Sequence, residues 1–160
     1  MWLMPETVFN TAGGMDAMRR LAAAWHERAL DSPIVGHAFA HGFRDDHVER
    51  LACYLAEALG GPPAYSQRYG DESAVVRIHA GNGEHVEMDD DAVAVFGDAV
   101  ESCGLPDDDR LKASLKAYWE WATRTTMAAY PTSPDDVPDG LTIRKWSWDG
   151  PLDERVHQTQ

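Results

Sequence analysis

The sequence predicts an all-α fold. Apolar residues recur at spacings of three and four through most of the chain, and Gly, Pro or Asp punctuates the breaks between those runs. Acidic residues gather where helix N-termini are expected, the end at which the helix dipole favours negative charge.

Taken in order, Met18, Leu21, Ala22, Trp25, His26 and Ala29 fall on one face of a helix over 15–30, with His26 at its edge, and Asp31-Ser32-Pro33 stops it. IVGHAFAHGF reads as a helical turn and loop carrying Phe39 and Phe43. Asp45 or Asp46 is expected to cap a helix running to Leu59, with Asp46 and Glu49 at capping-box spacing and His47, Leu51, Tyr54, Leu55 and Ala58 facing inward. Gly60-Gly61-Pro62-Pro63 ends it, because Gly accepts the left-handed cap and Pro cannot continue a helix. Residues 64–70 read as polar loop. Residues 72–79 suit a short helix or a strand, and the helical surroundings favour helix.

Met88-Asp89-Asp90-Asp91 suits a helix start, followed by a stripe of Ala92, Val95, Phe96, Ala99, Val100 and Cys103 that Gly104 closes. Pro106 is expected to open the last long helix, with Asp107, Asp108 and Asp109 in its first turn and Leu111, Leu115, Tyr118, Trp119 and Ala122 on its buried face. These helices make one domain over 1–129. Residues 130–160, rich in Pro, Asp and Gly, form an irregular extension, and Trp146 and Trp148 argue that it docks on the domain or on a second subunit. No internal repeat is present.

Composition excludes several classes of partner. Asp and Glu number 27 against 14 Lys and Arg, a formal net charge of -13 that repels phosphate backbones and anionic membranes. No run of about 18 apolar residues spans a bilayer, and MWLMPETVFN lacks a signal-peptide pattern. A soluble, cytoplasmic protein is expected, with neither nucleic acid nor membrane as partner. Cys53 and Cys103 match no metal or redox spacing and read as reduced, half-buried thiols.

Of seven histidines, His37, His41 and His157 read as surface residues, and His85 as a solvent-exposed loop residue. His26, His47 and His79 fall on or beside inward helix faces, where an imidazole needs a hydrogen-bond partner or a metal. Three separately bonded core histidines and one shared site explain them equally well. No H-E-x-x-H spacing occurs, so a site would be assembled across helices.

Four features in order resemble the truncated haemoglobins of bacteria, group II in particular, over 9–127: Gly13-Gly14 before the first long helix, AWHERAL, ALGGPPAYS and VVRIHAGNG. The resemblance implies a two-on-two helical sandwich holding haem b, with the irregular extension appended. Carried over by residue, it makes His79 the proximal iron ligand and Phe39 the aromatic that packs on haem. His26 stands where the family usually has a ligand-binding tyrosine, and His47 at the distal position facing iron, with Leu51 one turn on. Tyr65 and Arg77 become candidate partners of the haem propionates, a role that competes with ordinary surface pairing. The tryptophan usual on the helix after the proximal segment is replaced by Ala92 or Val93, which leaves room for a substrate or a moving side chain.

Three functions follow as expectations. The first is a globin binding O2, NO or peroxide at an iron held by His79, with His26 and His47 in the distal pocket. The second is a haem-dependent peroxidase or oxygenase in which those two histidines act as acid and base on behalf of a small organic substrate. The third is a haem-free, globin-shaped interaction module. A reductase and a homodimer through the tryptophan-bearing tail are the protein partners these readings admit.

Overall fold

The computed structural model describes residues 6–40 and 42–152. The chain opens with α1 (Val8–Ala12), whose start is fixed by Thr7 accepting from the Asn10 amide at 3.0 Å. Then come α2 (Met15–Asp31), a 3-10 turn (Val35–Phe39), α3 (His47–Ala58), α4 (Ala64–Arg68), α5 (Glu72–His79), α6 (Val86–Ser102) and α7 (Asp109–Trp121). A π-helical turn, Ala122–Met127, continues α7. The extension holds a 3-10 turn (Pro134–Asp136) and a two-residue hairpin pairing Trp146 with Pro151.

Helix α2 packs on α3, α6 packs on α7, and α2 joins the pairs through α6, giving two helical layers. The predicted faces are buried, except that His47, Leu51, Cys103 and Trp119 are only partly so. Met18, Leu21, Ala22, Trp25 and Ala29 of α2 meet Leu55 and Ala58 of α3, Phe96 and Ala99 of α6, and Leu111, Leu115 and Tyr118 of α7 in one cluster. Each fully buried Leu there contributes roughly 2 kcal/mol of transfer free energy. Phe96 and Trp119 stack at 4.2 Å, and Trp25 lies 5.1 Å from Trp119, so an aromatic column ties α2, α6 and α7 together. After α3, Gly60 turns at φ 96°, where a side chain would be strained and a Cβ would sit 2.8 Å from that of Thr7.

Several local expectations need correcting. Residues 64–70 contain a helix, α4, because Glu57 of α3 reaches across to accept from the Ser66 amide and hydroxyl at 2.8 and 2.5 Å. Helix α7 begins at Asp109 rather than near Pro106, since Asp108 caps it by accepting from the Leu111 amide at 3.0 Å. The Asp46–Glu49 capping box does not form. Glu49 instead takes a two-pronged bond from Arg19 at 3.0 and 3.1 Å, linking α3 to α2, and Asp46 pairs with Arg50. Helix α1 and the π turn had no counterpart in the sequence reading. Cys53 is fully buried and Cys103 partly so, both as free thiols. Among the described residues no helix is long and apolar enough to cross a membrane.

Candidate functional site

Four rings from three segments converge at one end of α2 and α3. The 3-10 turn that delivers Phe39 is fastened to α6 by Asp91, which accepts from the Val35 amide at 3.0 Å and from the Ser32 hydroxyl. Phe39 then stands edge-on to His26 and to His47, with centroids 5.5 and 5.4 Å away. Phe43 closes on His26 at 4.5 Å while half its surface stays exposed (50%). His26 and His47 are bonded to each other through their Nδ1 atoms at 3.1 Å. In such a pair one Nδ1 carries the proton and the other accepts it. Burial, and then the neighbouring His26, push the His47 pKa down to about 4, and burial lowers that of His26, so both rings are neutral near pH 7. Leu51, one turn beyond His47, is partly buried against the main core.

His79 ends α5, whose start is set by Asp71 accepting from the Ala74 amide at 3.1 Å. Its Nδ1 lies 2.9 Å from the Val75 carbonyl, the residue one turn back. A carbonyl only accepts, so Nδ1 carries the proton and Nε2 keeps its lone pair, the arrangement of a metal-binding imidazole. The ring's surface is exposed, yet surrounding protein lowers its pKa, with the Val75 bond opposing. His79 lies near enough to His47 for a charge on one ring to disfavour a charge on the other.

The remaining expected residues distribute unevenly. Tyr65 is buried against Tyr54 and Tyr69, and its hydroxyl bonds to Arg50. Arg77 points to the extension, donating to the Val137 carbonyl at 3.0 Å and to Asp139, so its partners are protein groups. His85 is not a free loop residue: it starts α6, and its Nδ1 bonds Asp89 at 2.9 Å. His37 is exposed, while His41 and His157 lie outside the described residues. Ala92 is buried, and the Trp25 indole donates to its carbonyl at 3.3 Å. Phe43 belongs with the four rings although it was not counted among the site residues. Its spacing of four from Phe39 was the available signal.

A family model described as bacterial-like globin matches residues 7–124. The chain belongs to the bacterial-like globins. Its fold recurs in a thermostable haemoglobin from Thermobifida fusca, 25% identical, covering 76% of this chain and 97% of that one at a TM-score of 0.63. The group II truncated haemoglobin of Bacillus anthracis is 16% identical, covering 82% and 97% at 0.67. The group II 2-on-2 haemoglobin of Agrobacterium tumefaciens is 22% identical, covering 83% and 100% at 0.62. No curated protein matches this chain.

A globin of this family binds haem, and the residues present fit that group. His79 offers one imidazole with a free Nε2, while the phenyl rings of Phe39 and Phe43 provide apolar surface beside the facing histidine pair. Among the described residues no three His, Cys, Asp or Glu side chains converge as a site for a bare metal ion. One imidazole would suffice for iron whose remaining ligands a porphyrin supplies.

Proposed function

We propose that this globin binds O2 or another small ligand at haem iron held by His79 Nε2, and that the His26–His47 pair stabilises the bound ligand. The observation that carries this reading is the 3.1 Å bond between the two histidines, within electrostatic reach of His79. Haem held through His79 would supply an iron able to bind a diatomic ligand or peroxide. The Val75 carbonyl holds the His79 ring by its Nδ1–H and makes Nε2 the more basic donor. Phe39 and Leu51 would give apolar surface to the macrocycle, and Tyr65 with Arg50 beside it would offer polar groups to a propionate.

The pair's tautomer sets what its remaining nitrogens do. When His26 Nδ1 donates to His47 Nδ1, the His47 proton must sit on Nε2, which then donates to a ligand bearing partial negative charge. Such a bond contributes about 1.5 kcal/mol, roughly tenfold in ligand retention. In the reverse tautomer His47 Nε2 is bare and accepts a proton. Peroxide turnover, in which that bare nitrogen would relay a proton between the two peroxide oxygens, is the second reading, although a pKa of about 4 makes the ring a weak base for it.

Ligand-release kinetics test the first reading. His47→Ala is expected to retain the Soret band and release O2 at least tenfold faster, with His26→Ala intermediate because it frees the partner ring. Unchanged release in both variants overturns the role of the pair. Turnover of peroxide with a reductant, lost in His47→Ala while the Soret band persists, selects the second reading. Failure of the protein to develop a Soret band on haem addition overturns both and favours an interaction module.

A further inference from the structure

Helix α5 has eight residues, too few to hold its own shape in water, so the position of His79 depends on what the helix packs against. Its main partners are the Pro134–Asp136 turn and the π turn, both C-terminal to the helical sandwich. Val76 and Ala80 form a small buried cluster with Val137, apart from the main core, with Tyr130 and Leu141 packed on it. Ser73, fully buried, uses its hydroxyl twice: it donates to the Pro138 carbonyl at 2.7 Å and accepts from the Leu141 amide at 2.9 Å. The Glu72 amide donates to the Leu141 carbonyl at 3.1 Å. Arg77 donates to the Val137 carbonyl and to Asp139.

The segment beyond His79 is held by the same stretch. Gly81 and Gly83 donate their amides to the carbonyls of Tyr130 and Pro131 at 3.0 and 2.8 Å. Gly81 adopts φ 78°, and a Cβ there would fall 2.7 Å from Pro134 Cδ. Residues 73, 76, 77 and 80 make one helical face, while 75 and 79 lie on another side, so the extension grips α5 behind the histidine.

We propose that residues 130–144 are a strap that sets the position of the proximal histidine, with Ser73 and Arg77 as positioning residues. The inference rests on His79 being the iron ligand. In the fold of this chain the histidine is bracketed on both sides by one segment: Ser73 and Arg77 before it, Gly81 and Gly83 after it. Loosening the strap frees the imidazole to tilt while leaving its own Nδ1 bond to Val75 in place.

The test uses the full-length holoprotein and reads two quantities. Ser73→Ala removes both hydroxyl bonds with the least change of volume. It is expected to raise amide exchange across 72–83 at least tenfold and to shift or broaden the iron–histidine stretching band of the ferrous, ligand-free protein. His47→Ala, on the other face, should leave that band unmoved. Arg77→Gln should reproduce the Ser73→Ala pattern more weakly, with Arg77→Lys restoring it, and it serves as the deciding variant if Ser73→Ala fails to fold. Faster exchange with an unmoved band overturns the proposal, and so does no change in either quantity. Absence of an iron–histidine band in the unmodified protein instead overturns the assignment of His79 on which the strap's role depends.

Discussion

His26 and His47 stand 21 positions apart in sequence and 3.1 Å apart in the fold, and that bond was not legible beforehand. Periodicity placed each on an inward face, but which faces meet depends on how α2 crosses α3. His79 was more legible, because Val75 lies four residues before it and the Nδ1 bond closes within one helical turn. The bond of His85 to Asp89 has the same spacing of four, but a helix start at Met88 leaves His85 in the loop, whereas α6 begins at Val86 with His85 as its N-cap. These differences set two expectations. His79→Ala should abolish or grossly alter the Soret band, whereas His85→Ala, which removes a surface-side pair with Asp89, should keep it. The second concerns acid stability of the protein without haem. The folded pKa of His47, about 4, lies below its ordinary 6.5, so as pH falls the unfolded chain takes up this proton first. The contribution of neutral His47 is therefore complete above 6.5, declines between 6.5 and 4, and levels off below. With His47 partly exposed the loss is on the order of 2 kcal/mol. Urea titrations at pH 7.5 and 4.5 should show a smaller drop for His47→Gln than for the unmodified chain, which isolates this group from the carboxylates that titrate alongside it.

Long helices with a clear apolar stripe were readable to within a residue or two, and the exceptions share a cause. Helix α4 exists because Glu57, on another helix, supplies its cap, and α7 starts late because Asp108 rather than Pro106 caps it. Both decisions are made by side-chain partners that spacing does not reveal. Helical surroundings favour helix over strand for 72–79, and Asp71 at the N-cap is a local signal for the same choice. The π turn after α7 was invisible for a related reason: ATRTTM differs little from a helix in composition. Within it the Thr126 hydroxyl is buried with no hydrogen-bond partner. A buried donor without a partner costs about 1 to 3 kcal/mol, and an isosteric methyl removes that cost. Thr126→Val is accordingly expected to raise the melting temperature by roughly 2–12 °C, given about 2–4 °C per kcal/mol for a chain of this size. A lower melting temperature would show that the hydroxyl is satisfied in solution.

At the scale of the molecule, the sequence pointed to a helical domain and a tryptophan-bearing tail without showing how the tail lies. The tryptophans were informative because an indole needs both apolar contact and a partner for its N–H. Trp148 donates to the Glu6 carbonyl at 2.7 Å beneath the Arg110 guanidinium, so the extension reaches back to the start of the described chain. Trp146 packs 5.6 Å from Trp121 and 5.8 Å from Tyr118 and donates to Ser114 at 3.0 Å, while Lys145 meets the buried carboxylate of Glu57. Nothing in the spacing of Trp146 named α7 as its partner, since the contact spans 32 positions. If the extension is part of the same cooperative unit as the helical layers, removing this anchor must be felt by the whole fold. Trp146→Ala takes away the ring contacts and leaves the largely buried Ser114 hydroxyl without its donor, a cost of about 3 kcal/mol. The expected result is a single unfolding transition lowered by roughly 6–12 °C. A melting temperature unchanged from the parent would mean that the extension contributes nothing to the stability of the helical domain, and a second, earlier transition would mean that it unfolds on its own.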